Sequence, residues 1–134
     1  MKKYYTPDIA EFHVGFEYEI YVPEKQVWSK EIFYLNESHI DLVKFVGIQI
    51  DSTQGVRVKF LDKEDIESLG WRIPEAASPF VFLFVGKLHT YLMHLVRNEH
   101  GDWIMIEDED NYQYFSGKIK NKSELQRVIK MVVI

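Results

Sequence analysis

Cysteine is absent from all 134 residues, which excludes disulfides, thiolate zinc sites, iron–sulfur clusters and cysteine nucleophiles, and which fits a reducing compartment. An excess of positive charge is also lacking, since 16 Lys and Arg stand against 21 Asp and Glu for a formal net charge of -5. Nucleic-acid affinity draws its electrostatic part from cations that neutralise phosphates, so general nucleic-acid binding is disfavoured and only a local basic patch would serve. No apolar run reaches the roughly 20 residues that a spanning helix needs. The longest, 80–96, is interrupted by Lys87, His89 and His94. The cations Lys2 and Lys3 have no apolar stretch behind them, so no secretory leader is expected and neither is a membrane partner. Phosphate-binding glycine loops, the Gly-x-Ser-x-Gly elbow and His-Glu-x-x-His are all missing, and no cofactor is called for.

What is present is apolar material in quantity: 46% hydrophobic residues, with nine Phe, eight Tyr and three Trp. A chain of this length makes one core, so residues 1–134 are expected to form a single α+β domain, mainly an antiparallel sheet with a few helices. Thr6 and Pro7 offer a start signal for a short helical turn. From Phe12 the chain alternates, with Phe12, Val14, Phe16, Tyr18, Ile20 and Val22 on an inner face and His13, Gly15, Glu17, Glu19 and Tyr21 on the other. A hairpin at 23–26 leads to a partner strand over 27–35. Strands are also expected over 43–50, 56–61, 80–85, 88–97, 103–107 and 112–119. Asp62 with Asp65 forms a capping box, Leu61 and Ile66 a hydrophobic staple, and Gly70 a left-handed stop, which predicts a short helix near 62–70. Ser123 with Gln126 predicts a second helix near 123–132, whose Leu125, Val128, Ile129, Val132 and Val133 share one face.

Five groups of residues bear on candidate chemistry. His13, Glu17 and Glu19 share a strand face, and an imidazole with two carboxylates could hold a divalent metal or divide acid and base roles. Strand residues two apart are separated by about 7 Å, so such a centre needs ligands from another strand. The plain alternative is the solvated side of an amphipathic strand. Lys118, Lys120, Lys122, Arg127 and Lys130 form a basic C-terminal segment that could meet a phosphate backbone or an acidic protein, or pair with nearby acids. The acidic run 107–110 lacks the spacing of a calcium loop and reads as a solvated turn. His39, His89, His94 and His100 show no metal-ligand spacing. Tyr4, Tyr5, Tyr112 and Tyr114 could anchor a partner, although eight tyrosines in a β-rich domain need no such reason.

Three blocks carry a resemblance: Tyr5-Thr6-Pro7-Asp8-Ile9 with Glu11 through Glu19, then Arg57 through Trp71, then Gly117 through Leu125. Together they resemble a family of small uncharacterised proteins from phages and prophages of Bacteroidota-type bacteria, while 73–97 has no counterpart. The resemblance implies a mobile-element origin and the bacterial host cytoplasm as the working compartment, and it carries no assigned activity. The leading expectation is therefore a non-enzymatic accessory protein that binds a host or phage macromolecule, taken to be a protein. A metal-assisted enzyme built on the His13, Glu17 and Glu19 face and a small virion component are the alternatives. Oligomeric state is not legible.

Overall fold

The computed structural model describes residues 3–34, 55–74 and 80–133. The strand expected over 43–50 and residue 35 of the one expected over 27–35 lie outside the described residues. The chain divides into two compact units, Met1–Phe60 and Leu61–Ile134, each holding a four-stranded sheet whose pairings are all antiparallel. With two α-helices among the described residues this is an α+β protein, as the patterning predicts.

The first unit contains β1 (Tyr4–Tyr5), a 3-10 turn (Ile9–Glu11), β2 (Glu17–Val22), β3 (Val27–Ile32) and β4 (Val56–Lys59), in the sheet order β1-β4-β2-β3. Its core is Phe16, Tyr18, Phe33, Val56 and Val58, with Tyr5 and Phe12 packed against it. Phe12 meets Phe16, Tyr18 and Phe33 at centroid distances of 5.0, 5.4 and 5.6 Å, spacings at which aromatic pairs attract edge to face.

Two expectations need correction here. The alternation anticipated from Phe12 begins only at Glu17, because 13–16 makes a turn in which the Phe16 N–H donates to the His13 carbonyl at 2.9 Å. Gly15, at φ 90, supplies the positive φ that this turn requires. Val14 is consequently 59% exposed instead of facing inward. The short helical turn is organised by Asp8 and not by Thr6: Asp8 Oδ1 accepts from the Ala10 N–H at 2.9 Å, and Glu11 Oε2 accepts from the Asp8 N–H at 2.6 Å. An acidic side chain at this point answers the free amides of the turn directly.

The second unit runs α1 (Lys63–Ser68), β5 (Val81–Val85), β6 (Thr90–Val96), β7 (Asp102–Asp108), β8 (Gln113–Ile119) and α2 (Lys122–Val132), the strands forming a meander in chain order. Alternation gives the sheet two unlike faces. Phe82, Tyr91, Met93, Leu95, Ile104, Ile106 and Ile119 are buried in one cluster with Leu61, Ile66 and Trp71 around α1 and with Leu125 and Val128 of α2. Burying each such aliphatic or aromatic side chain is worth about 1.5–3 kcal/mol.

Both helices carry the caps that let them stop and start where they do. At α1 the Asp65 N–H donates to Asp62 Oδ1 at 2.9 Å and the Asp62 N–H to Asp65 Oδ2 at 3.3 Å, a reciprocal capping box. Gly70 leaves the helix at φ +97, and a Cβ there would sit 3.0 Å from Phe84 Cε2. At α2 the helix starts slightly earlier than Ser123. Asn121 is the cap, its Oδ1 accepting from the Glu124 N–H at 2.9 Å, while Glu124 Oε2 reaches back to the Lys120 N–H at 2.7 Å. Ser123 is instead buried in the first turn.

Asp62→Ala should lower unfolding stability by about 1 kcal/mol, and Gly70→Val should cost more, because a β-branched residue meets both a positive φ and the Phe84 ring. Denaturant midpoints at constant m-value measure both, and equal, negligible shifts would contradict the capping geometry. In the first unit, burial followed by the charge of Glu31 pushes the Tyr18 hydroxyl up to about 12 from 10.0. The folded chain therefore keeps a proton that the unfolded chain releases, and stability should fall as pH rises from 10 toward 12. In Tyr18→Phe that alkaline loss should be shallower, read by denaturation at stepped pH.

Candidate functional site

The inner face of β7 reads Asp102, Ile104, Ile106, Asp108, an apolar middle with a buried carboxylate at each end. Each acid is 3% exposed and each is answered by the adjoining connection. Asp102 Oδ2 accepts from Arg97 Nη1 at 2.6 Å, and the same nitrogen donates to the Leu61 carbonyl at 3.1 Å. Burial raises the Asp102 pKa, and the Arg97 charge beside it opposes that rise. At the other end, Asp108 Oδ1 accepts from the N–H groups of Asp110 at 2.8 Å and Tyr112 at 3.1 Å, while Oδ2 accepts from the Tyr114 hydroxyl at 2.9 Å. Burial would push the Asp108 carboxyl up, but the donors from Tyr112, Tyr114 and Asp110 and the nearby His89 together hold it below the usual carboxylate range.

His89, in the connection from β5 to β6, faces this end of β7. Its Nδ1 lies 3.3 Å from Glu109 Oε1 and 3.9 Å from Asp108 Oδ2. The other oxygen of Glu109, Oε2, accepts from the Thr90 N–H at 3.0 Å. Glu109 is held below its ordinary value chiefly by its own backbone N–H, with His89 and the Thr90 N–H adding to this against a smaller desolvation cost. Among the described residues, His89, Asp108 and Glu109 are the one group of three or more such side chains whose ligand atoms all lie within 4.8 Å of one another. Patterning missed this group. Asp108 reads as part of a solvated acidic run, yet it is buried. The signal was parity, since Asp102 and Asp108 fall in step with Ile104 and Ile106.

The residues that the sequence singled out are distributed differently. His13 lies in the turn before β2 with Nδ1 2.9 Å from the Glu11 carbonyl. Glu17 is exposed at the start of β2. Glu19, two residues on, pairs with Arg57 Nη2 of β4 at 3.1 Å. That guanidinium is also stacked, 3.7 Å from the Tyr4 ring centroid and 4.0 Å from that of Trp28, so the polar side of the first sheet is organised around Arg57. Of the basic segment, Lys118 and Lys120 approach Gly101 on the β8 side, whereas Arg127 and Lys130 are exposed on α2 and Lys122 opens that helix.

The second sheet's other face is largely apolar. Val81, Leu83 and Val85 of β5, Leu92 and Val96 of β6, and Trp103 and Met105 of β7 all point to it, and none of them is fully buried. Val85, Val96 and Trp103 are 64%, 63% and 51% exposed. Two polar pairs cross it: His94 Nε2 to Glu107 Oε1 at 2.8 Å, and Trp103 Nε1–H donating to Ser116 Oγ at 3.0 Å. No helix among the described residues is long and apolar enough to cross a membrane. No family model, curated protein or solved structure matches the chain.

Proposed function

We propose that this is a non-enzymatic accessory protein of a phage or prophage, working in the bacterial host cytoplasm by binding a protein partner through the open face of the β5–β8 sheet. The supporting observation is the row Val96, Trp103, Lys118 across three strands, flanked by Leu83, Leu92 and Met105. Large apolar side chains left exposed on one sheet face are a mark of interaction sites. An exposed tryptophan with its indole N–H already held by Ser116 offers a large, oriented anchor at small entropic cost. The chemistry favours protein over nucleic acid. Lys118 is the one Lys or Arg among the outward residues of these four strands, and Glu107 lies on the same face. A partner that fits presents an apolar patch with a polar rim, the usual composition of a specific interface. The mobile-element setting rests on the resemblance of the three sequence blocks.

The test uses the full chain as bait in infected and uninfected host lysates, followed by reconstitution of the retained protein in purified form. Val96→Lys and Trp103→Ala are compared with Arg127→Ala and Lys130→Ala on the exposed side of α2. The expected outcome is a partner held by the wild type and by the helix variants, and lost from the face variants without change in melting temperature. Removing the tryptophan anchor should weaken purified binding at least about 30-fold, equivalent to about 2 kcal/mol. Equal retention by all four variants, or self-association of the wild type through this face in light scattering, would sink the reading.

A further inference from the structure

We propose that His89, Asp108 and Glu109 form a binding site for one divalent cation of the zinc class, at the end of the second sheet where the β5–β6 and β7–β8 connections meet. The inference does not depend on the partner surface. It starts from how the two carboxylates spend their oxygens. Asp108 Oδ1 is held by two backbone N–H groups and Glu109 Oε2 by one, which fixes both side chains. Their other oxygens, Asp108 Oδ2, which also accepts from the Tyr114 hydroxyl, and Glu109 Oε1, both face the same imidazole nitrogen.

As a plain ion-pair network this arrangement leaves His89 and Asp108 without a direct hydrogen bond. A single Nδ1–H can serve one carboxylate oxygen well, and the 3.9 Å separation from Asp108 Oδ2 is too long for a hydrogen bond. A cation between the three atoms serves all of them at once, with the imidazole contributing a lone pair in place of a hydrogen. The three ligand atoms lie within 4.8 Å of one another, so a bound ion would draw the group inward from its present spacing. Zinc–nitrogen and zinc–oxygen bonds of about 2.0–2.2 Å in tetrahedral geometry place ligand atoms about 3.4 Å apart, against 3.3 and 3.9 Å for the two His89 distances.

The surroundings also resemble those that orient metal ligands. Ligating carboxylates are characteristically hydrogen-bonded by a second layer of donors. Here the Tyr114 hydroxyl supplies that contact to Asp108 Oδ2 at 2.9 Å, and the Thr90 N–H supplies it to Glu109. Tyr114 is itself braced by Tyr91 and Tyr112, at centroid distances of 5.5 and 4.9 Å. His89 is half-buried and Glu109 exposed, so an ion can enter from solvent. One imidazole with two carboxylates is a donor set suited to zinc, and three protein ligands leave a coordination position for water or for a donor from another molecule.

The test is calorimetric titration of zinc chloride into the full-length, chelator-stripped chain, with thermal scans at each zinc concentration. One saturable site is expected, with a melting temperature that climbs with free zinc as mass action requires. His89→Gln and Glu109→Gln, both at solvent-accessible positions, should each weaken binding at least tenfold, and Tyr114→Phe by a smaller factor. His100→Gln, outside the group, should bind as the wild type does. Zinc should also shift the imidazole resonances that are missing from the spectrum of His89→Gln. The proposal is overturned by absence of a saturable one-to-one site in the wild type, or by undiminished affinity in His89→Gln and Glu109→Gln.

Discussion

A carboxylate withdrawn from water must be answered by donors or it forbids the fold that buries it, and the second unit meets that constraint twice on one strand. Asp102 and Asp108 sit at opposite ends of β7's inner face, 3% exposed each. Answering Asp102 obliges the β6–β7 connection to bring Arg97 and the Asn98 N–H to it. Arg97 then also reaches the Leu61 carbonyl, tying the residue that precedes the α1 cap to the sheet. Answering Asp108 obliges the β7–β8 connection to close tightly enough for the amides of Asp110 and Tyr112 to reach one oxygen. Asn111 accordingly takes a positive φ of 65, a conformation that asparagine tolerates better than most residues. Connections on both sides of β7 are thus shaped by the same requirement.

That requirement explains why the helices cover only one face. The aspartates and the aliphatic residues between them point the same way, so the face that needs sealing is the one where Leu61, Ile66, Trp71, Leu125 and Val128 gather. With both helices committed there, the opposite side of the meander keeps Val85, Val96 and Trp103 in water. The edge of β5 is handled separately. Arg72 and Leu83 exchange backbone hydrogen bonds of 2.9 and 2.7 Å, a single bridge that blunts part of an otherwise open strand edge.

Much of the fold was legible because the signals were local. Asp62, Asp65 and Gly70 announced α1 through cap chemistry that needs no distant contact, and Phe16 and Tyr18 announced their burial through period-two patterning. The failures share a cause. Gly15 is compatible with a strand in any alternation count, and only the backbone shows that it turns the chain and puts Val14 outside. His13, Glu17 and Glu19 looked like a group because a strand was assumed to begin at Phe12. The turn separates His13 from that face, and Glu19 is engaged by Arg57, a residue 38 positions away that no local pattern could assign. His89 was unreadable for the same reason, since it lies 20 positions from Glu109 and meets it only through the meander.

The acidic run that follows Ile106 shows how little composition says where parity decides. Glu107, Asp108 and Glu109 are consecutive, and as a stretch of negative charge they suggest one solvated feature. The register irregularity here falls on β8, where Ile106 pairs with Phe115 and Glu107 with Gln113 so that Tyr114 is the extra residue, and the alternation of β7 itself runs on unbroken. The three acids then go to three destinations. Glu107 turns to the open face and holds His94. Asp108 turns inward and gathers the following turn and Tyr114. Glu109 leaves the strand and reaches the Thr90 amide and His89. Adjacent carboxylates that would repel if they shared one environment are separated by the pleat, so that each meets its own donor. Two of these pairings place a histidine on β6 or just before it against an acid of β7 or the turn after it. The acidic run thus joins the two connections at one end of the sheet and also sets a polar pair within the apolar face.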